Sequence, residues 1–369
     1  MSLFLLILFR CAADKIHAMT QVLEAVQLAV NGTVHNFLRV LAYPFDPDER
    51  IYLPYLLTSL IAAVGVYALS TPGSTAPESD SDGLLEFLFP SRVWRTRSAW
   101  LDVRYFLVHQ ILRVFLYGAF AAAITTWTYQ VGAQLLGLTA LGDVTPRAAS
   151  WGIELGYAFI SIAILDLAAY LLHYCQHRIP ILWEFHKIHH SARVMHPLTN
   201  YREHPIDNLL YAAGLAACSG VTMATVFAAL GYVPRIPTIG GAGAFAVAFN
   251  ALGYNLRHSH IWLRWPGPLV YLFGSPAHHQ VHHSYHPTHI NRNFAFMFPV
   301  WDLLFGTFRM PSSNADIKFG LGEETDEDEE LTSCWRLYWV PFRDAARLLR
   351  KGRGATSDRS KAAPHTAQP

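Results

Sequence analysis

Histidine is where this chain of 369 residues concentrates its chemistry: fifteen of its nineteen histidines fall between His173 and His289. An even spread would put about a third of them there. They come in tight groups: an H-x-x-x-H pair (His173, His177), an H-x-x-H-H cluster (His186, His189, His190), and a second H-x-x-H-H about ninety residues later (His279, His282, His283). On a helix, residues three and four apart are neighbours, so each group would present its imidazoles on one face. Neutral imidazole is the commonest protein metal ligand and suits iron, copper, zinc or nickel. With His204 and His258 the candidates number ten: His173, His177, His186, His189, His190, His204, His258, His279, His282 and His283. A single ion uses three or four protein ligands, so this set suits two ions.

Other chemistries lack their residues. No E-x-x-H accompanies the histidines, which excludes the soluble di-iron carboxylate bundle. Lys187 follows His186 where a zinc metalloprotease would carry its glutamate base. Cys11, Cys175, Cys218 and Cys334 form no C-x-x-C pair and read as reduced thiols. A net charge of +1 points to no nucleic-acid partner. His196, His260, His278, His286 and His289 read as polar neighbours of the site rather than ligands. Asp166 lies two helical turns before His173 within an apolar stretch, where a carboxylate needs a partner. It could orient a ligand histidine or make an ordinary interhelical hydrogen bond. Asp302 and Asn293 carry the same two readings.

The elements that must position these residues are membrane helices. The chain is 52% apolar and 15% charged, and its apolar residues run in long uncharged stretches. Spans are expected at about 51–70, 105–126, 151–172, 208–234 and 236–256. The fold class is therefore all-α: a bundle of about five spans with a histidine-rich helical cap. The last two spans form a hairpin that brings both H-x-x-H-H clusters to one side. Lys and Arg gather on that side, which is cytoplasmic by the positive-inside rule. Residues 2–9 are too short to span and lack the flanks of a secretory signal. Residues 22–41 read as an amphipathic helix on the membrane or on the protein. Residues 71–83 read as a flexible loop, 294–308 as a cap over the cluster, and 323–330 as an acidic surface run. Residues 331–350 read as an interfacial helix and the last twenty as a disordered tail. The divisions are an N-terminal segment (1–50), a membrane-embedded catalytic domain (51–311) and a C-terminal region (312–369).

The order of motifs resembles the fatty acid hydroxylase/sterol desaturase superfamily. The matching stretches are Asp166 to His177, Leu182 to Ser191, Arg202-Glu203-His204-Pro205, His258-Ser259-His260-Ile261, Ser275 to Ser284, and Trp301 to Arg309. They cover about 145–310 strongly and 90–145 loosely. The resemblance implies an integral-membrane, non-haem oxygenase with two iron ions, using dioxygen and two electrons that come from NAD(P)H. The donor would be a separate cytochrome b-type or ferredoxin-type protein. The implied chemistry is hydrogen abstraction from a C–H bond of a lipid (a fatty acyl chain, a sterol or related terpenoid, or an ether lipid), with hydroxylation ranked above desaturation and both above ether-bond cleavage. The membrane would be the endoplasmic reticulum in a eukaryote and otherwise the plasma membrane. A histidine-lined metal transporter, a membrane zinc hydrolase and a non-catalytic scaffold are the rival readings.

Overall fold

Proline and glycine cut the apolar chain into helices of unequal length, and the cuts fall where the histidine groups begin and end. The computed structural model describes residues 38–69, 83–116, 118–138, 145–323 and 330–354. The expectations for 1–37, 71–82, 324–329 and the tail lie outside these residues. Ten helices carry the argument: α1 (Leu53–Leu69), α2 (Arg97–Leu116), α3 (Gly118–Leu135), α4 (Trp151–Arg178) and α5 (Pro180–His190). They continue with α6 (Pro205–Leu230), α7 (Ala244–Ala251), α8 (Pro276–His283), α9 (Val300–Leu304) and α10 (Cys334–Gly354). Among the described residues, the one sheet is a two-stranded hairpin, Thr238–Ile239 against Ala242–Gly243.

Among the described residues, α4 and α6 are long and apolar enough to cross a membrane. Only 22% of the most apolar stretch of each is buried, so most of that surface must find an apolar surrounding. At 1.5 Å per residue, α4 is about 42 Å long. A hydrocarbon layer about 30 Å thick takes roughly 20 residues, so about eight residues of α4 extend beyond it, and His177 stands in the last turn of the helix. Pro180 then occupies the first turn of α5, and Ile179 before it is extended (φ −99°, ψ 112°), as steric clash with a proline ring requires. The chain therefore bends at Ile179, and α5 folds back beside the end of α4.

The expected span at 105–126 falls in α2 and α3, on either side of residue 117, which lies outside the described residues. One expected span takes another form. The stretch 236–256 is not one helix: Pro237 precedes a turn in which Gly240 and Gly241 both have positive φ (62° and 100°), the geometry of a tight hairpin. The chain then enters α7, eight residues long, and a 3-10 turn at Tyr254–Leu256. Eight residues reach about 12 Å, too short to cross.

Small residues let α3 and α6 pack closely, as in membrane helix pairs. A Cβ on Gly220 would collide with Thr128 Oγ1 and lie 2.5 Å from the Thr125 carbonyl oxygen. In an ordinary helix Gly→Ala adds about 1 kcal/mol of stability. Here Gly220→Ala should lower the melting temperature by several degrees, because overpacking costs about 1–3 kcal/mol. A raised melting temperature in a detergent melt would refute this close approach.

The C-terminal helix α10 has two faces. Leu337 and Val340 are buried with Leu101, Tyr105 and Ile188, and Asp344 pairs at 3.1 Å with the buried Lys187 of α5. Trp335, Trp339 and Phe342 are exposed, as an interfacial helix requires. Cys175, Cys218 and Cys334 are free thiols.

Candidate metal centre

The i, i+3, i+4 geometry of an H-x-x-H-H run explains how two short helices serve two places at once. Positions one and five lie about 40° apart around a helix, while position four lies about 60° to the other side. In α5, His186 and His190 accordingly face His173 and His177 of α4, while His189 turns away towards His258 and His283. Helix α8 does the converse: His279 and His283 face His258, and His282 crosses to His173 and His177. Nine imidazoles thus form two groups, each able to hold a metal ion. The first is His173, His177, His186, His190 and His282; the second is His189, His258, His279 and His283. The groups abut where the rings of His190 and His283 stack, 4.5 Å apart.

The nitrogens point the way ligands must. In the first group all five Nε2 atoms are buried without a hydrogen-bond partner among the described residues. Three of the Nδ1 atoms are held from behind: His173 donates to the Phe294 carbonyl (3.0 Å), His282 to the Arg292 carbonyl (2.9 Å) and His186 to Asp207 Oδ2 (2.8 Å). An acceptor behind Nδ1 fixes the proton there and leaves the Nε2 lone pair facing forward. In the second group, His189 donates from Nδ1 to the Arg202 carbonyl (3.3 Å). Four Nε2 atoms then converge, with His258 at 3.3 Å from His189, 3.2 Å from His283 and 3.1 Å from His279. Ligands about 2.0–2.1 Å from one ion stand about 3.0–3.4 Å apart, so this spacing fits a shared cation. Converging lone pairs repel one another unless a cation lies between them. Burial, with the neighbouring imidazoles, holds His186, His190, His258, His279, His282 and His283 far below the ordinary histidine pKa. They are therefore neutral, the form that binds metal.

His204 is not brought into either group. It caps α6, with Nδ1 accepting from the Ile206 amide (3.1 Å) and Nε2 donating to the Tyr338 carbonyl (3.1 Å). Both of its nitrogens are engaged, and Pro205 at the first helical position gives it the place of an N-cap. Asp166 and Asp302 do not touch the imidazoles either. Asp166 accepts from the amides of Met297 and Phe298 and from Trp301 Nε1. Asp302 accepts from the amides of Phe294 and Ala295 and from Thr307. Asn293, at φ 55°, bonds the backbone of His278 and Arg309. These three residues fix the 294–308 cap. The cap in turn lays the Phe294 ring against His173, His177 and His282 and presents its carbonyl to His173.

Among the described residues, the carboxylate that reaches a ring of the two groups is Asp207, which also accepts from Gln176. Sequence reasoning passes it over, although it stands in the first turn of α6, just before the long uncharged run. Arg202 is anchored too: its guanidinium is buried against Asp102 (2.8 Å), which fixes the carbonyl that holds His189. Burial works against the Asp102 charge, but Arg202 and His196 hold its pKa below the usual carboxylate value. Of the expected polar neighbours, His260 bonds the Phe87 carbonyl, His278 caps α8 on Ser275, and His289 bonds Ser284. Members of both groups (His173, His186, His189, His258 and His279) line one cavity of about 350 Å³. Ala169 of α4 and Tyr211, Ala212 and Leu215 of α6 wall it on the side of the two long apolar helices.

Comparison with known proteins follows the same residues. The fatty acid hydroxylase family model matches residues 158–307, which supports the resemblance to the fatty acid hydroxylase superfamily. It is similar to alkylglycerol monooxygenase of Homo sapiens, 26% identical over 193 residues, which are 50% of this chain and 38% of that protein. It is also similar to ornithine lipid hydroxylase OlsE of Rhizobium tropici, 29% identical over 168 residues (44% of each chain). A third relative is the very-long-chain aldehyde decarbonylase GL1-1 of Oryza sativa subsp. indica, 30% identical over 177 residues (45% of this chain and 25% of that one). The chain spans less than half the length of each of these relatives. No solved structure matches it significantly.

Proposed function

We propose that this protein is a membrane-bound, non-haem di-iron oxygenase that hydroxylates a lipid C–H bond. The observation that carries the reading is the pair of imidazole groups, with buried Nε2 atoms directed inward beside a single cavity. His173, His177, His186, His190 and His282 hold one ion; His189, His258, His279 and His283 hold the other. His204 stands outside this set because both its nitrogens are engaged. Two iron ions would supply dioxygen activation and hydrogen abstraction, with electrons from NAD(P)H delivered through a separate cytochrome b-type or ferredoxin-type protein. The chain's own groups do the rest. Asp207 and the carbonyls of Phe294, Arg292 and Arg202 set the tautomer and aim of their imidazoles. The Phe294 ring and the cap keep water from the first group.

The names of the relatives, alkylglycerol monooxygenase and ornithine lipid hydroxylase, support a lipid substrate and favour oxygenation of an ether lipid as the second reading. The catalytic face is cytoplasmic, on the endoplasmic reticulum of a eukaryote or the plasma membrane otherwise; the clustering of Lys and Arg beside the histidine motifs supports this. The domain divisions 1–50, 51–311 and 312–369 belong to the same proposal. A transporter would want ionisable residues deep in its spans, whereas the histidines here gather at helix ends. Lipid profiling of cells with wild-type protein, without it and with His189→Ala tests the reaction. An oxidised lipid should be present only with the wild type, and identical profiles in all three would refute the oxygenase.

A further inference from the structure

The cavity beside the imidazole groups contains a cation that makes no ion pair or hydrogen bond among the described residues. Arg257 lies between the 3-10 turn at Tyr254–Leu256 and His258, and it is 2% exposed. Its Nε and Nη1 are buried without a hydrogen-bond partner, and among the described residues no carboxylate lies within salt-bridge distance. Asp166, the carboxylate whose charge it feels, already accepts from three N–H groups of the cap. The other charged groups of the cavity are satisfied. Arg50 is held by Glu203 and Asn200, and Asp207 accepts from His186 and Gln176. A guanidinium does not lose its proton in a protein, and an uncompensated buried charge is strongly destabilising.

Aromatic rings surround the guanidinium and supply no acceptor for its N–H groups. Its central carbon stands 4.6 Å from the centre of the Phe296 ring and 5.6 Å from those of Phe249 and Tyr254. Cation–π contact satisfies the faces but none of the in-plane N–H groups. A guanidinium that lines a cavity without an acceptor is suited to a planar or tetrahedral oxyanion. The cavity is near the lower end of ligand-pocket volumes, which suits a head group and the first part of one chain.

We propose that Arg257 anchors an oxyanion, a carboxylate or a phosphate, at the head of the lipid that enters this cavity. The inference rests on the lipid reading of the site and narrows its substrate class. It also implies that the carbon oxidised lies near the head, since the anchor is next in sequence to His258, which belongs to the second imidazole group.

Binding of three probes with the same chain tests the proposal on the full-length protein in detergent: palmitate, hexadecyl phosphate and hexadecanol. Hydrogen bonds to a charged group contribute about 1.5–3 kcal/mol each, on the order of 10- to 100-fold in affinity. Wild type should bind palmitate or hexadecyl phosphate at least about tenfold more tightly than hexadecanol, and whichever binds tighter identifies the head group. Arg257→Gln should lose that preference while binding hexadecanol as before, and Arg257→Lys should keep part of it. Equal affinity of the wild type for all three would overturn the anchor and leave the oxygenase reading standing; this arm needs no variant to fold. An equal loss of all three in Arg257→Gln would likewise overturn it, because the residue would then only shape the cavity. Binding of no probe would overturn both the anchor and the lipid reading.

Discussion

Replacing His283 with alanine should remove about one metal ion per chain and leave the other in place. His283 Nε2 lies 3.0 Å from His279 Nε2 and 3.2 Å from His258 Nε2, within the group that also contains His189. Substituting a residue that only orients a ligand costs about 10–100-fold in metal affinity or activity. Loss of a ligand itself should cost more, on the order of 100-fold or above in oxidised product. The companion variant His204→Ala makes the contrast. It removes a helix cap, for about 0.5–2 kcal/mol of stability, and should keep both ions. Elemental analysis of the two purified variants checks this, and an equal loss of metal from both would contradict the grouping.

Asp207→Asn should weaken the first group by about 10–100-fold in metal affinity with little change in fold. When ionised, the Asp207 carboxylate can only accept, and it then fixes the proton of His186 on Nδ1 and frees Nε2. An asparagine amide can turn its N–H towards Nδ1, which moves the ring proton to Nε2 and removes the lone pair aimed at the ion. Competition with a chelator, read against the His283→Ala variant, measures the loss. Unchanged affinity would mean that Asp207 is only a helix-terminal acid.

How much of the site is legible in the residues depends on whether the cause is local. The two H-x-x-H-H runs sit on helices, and their spacing alone directs which rings can meet. Spacing does not reveal the division between two groups, because His189 and His190 are adjacent in sequence yet diverge by about 100° around α5. His204 and His258 look alike in sequence, each a lone histidine beside a motif. Proline after His204 makes it a cap, while His258 has no such employment. The stretch 236–256 reads as a span by hydropathy, but Pro237, Gly240 and Gly241 break it.

Partners distant in sequence are the least legible. Asp166, a carboxylate in an apolar stretch, does need a partner, and it finds three N–H groups of the 297–301 segment, more than 130 residues away. Asp207 is hidden by its ordinary place at a helix start, where acids are common for dipole reasons alone. The exposed aromatic face of helix α10 is legible in the sequence, at Trp335, Trp339 and Phe342. The other face covers α5, and only the packing of Leu337 and Val340 against Ile188 reveals it.

The most direct test of the proposed di-iron centre is the metal content of the full-length protein, purified without chelator from cells grown with iron. About two irons per chain is the predicted result. One zinc per chain, or no bound metal in a folded protein, would contradict it.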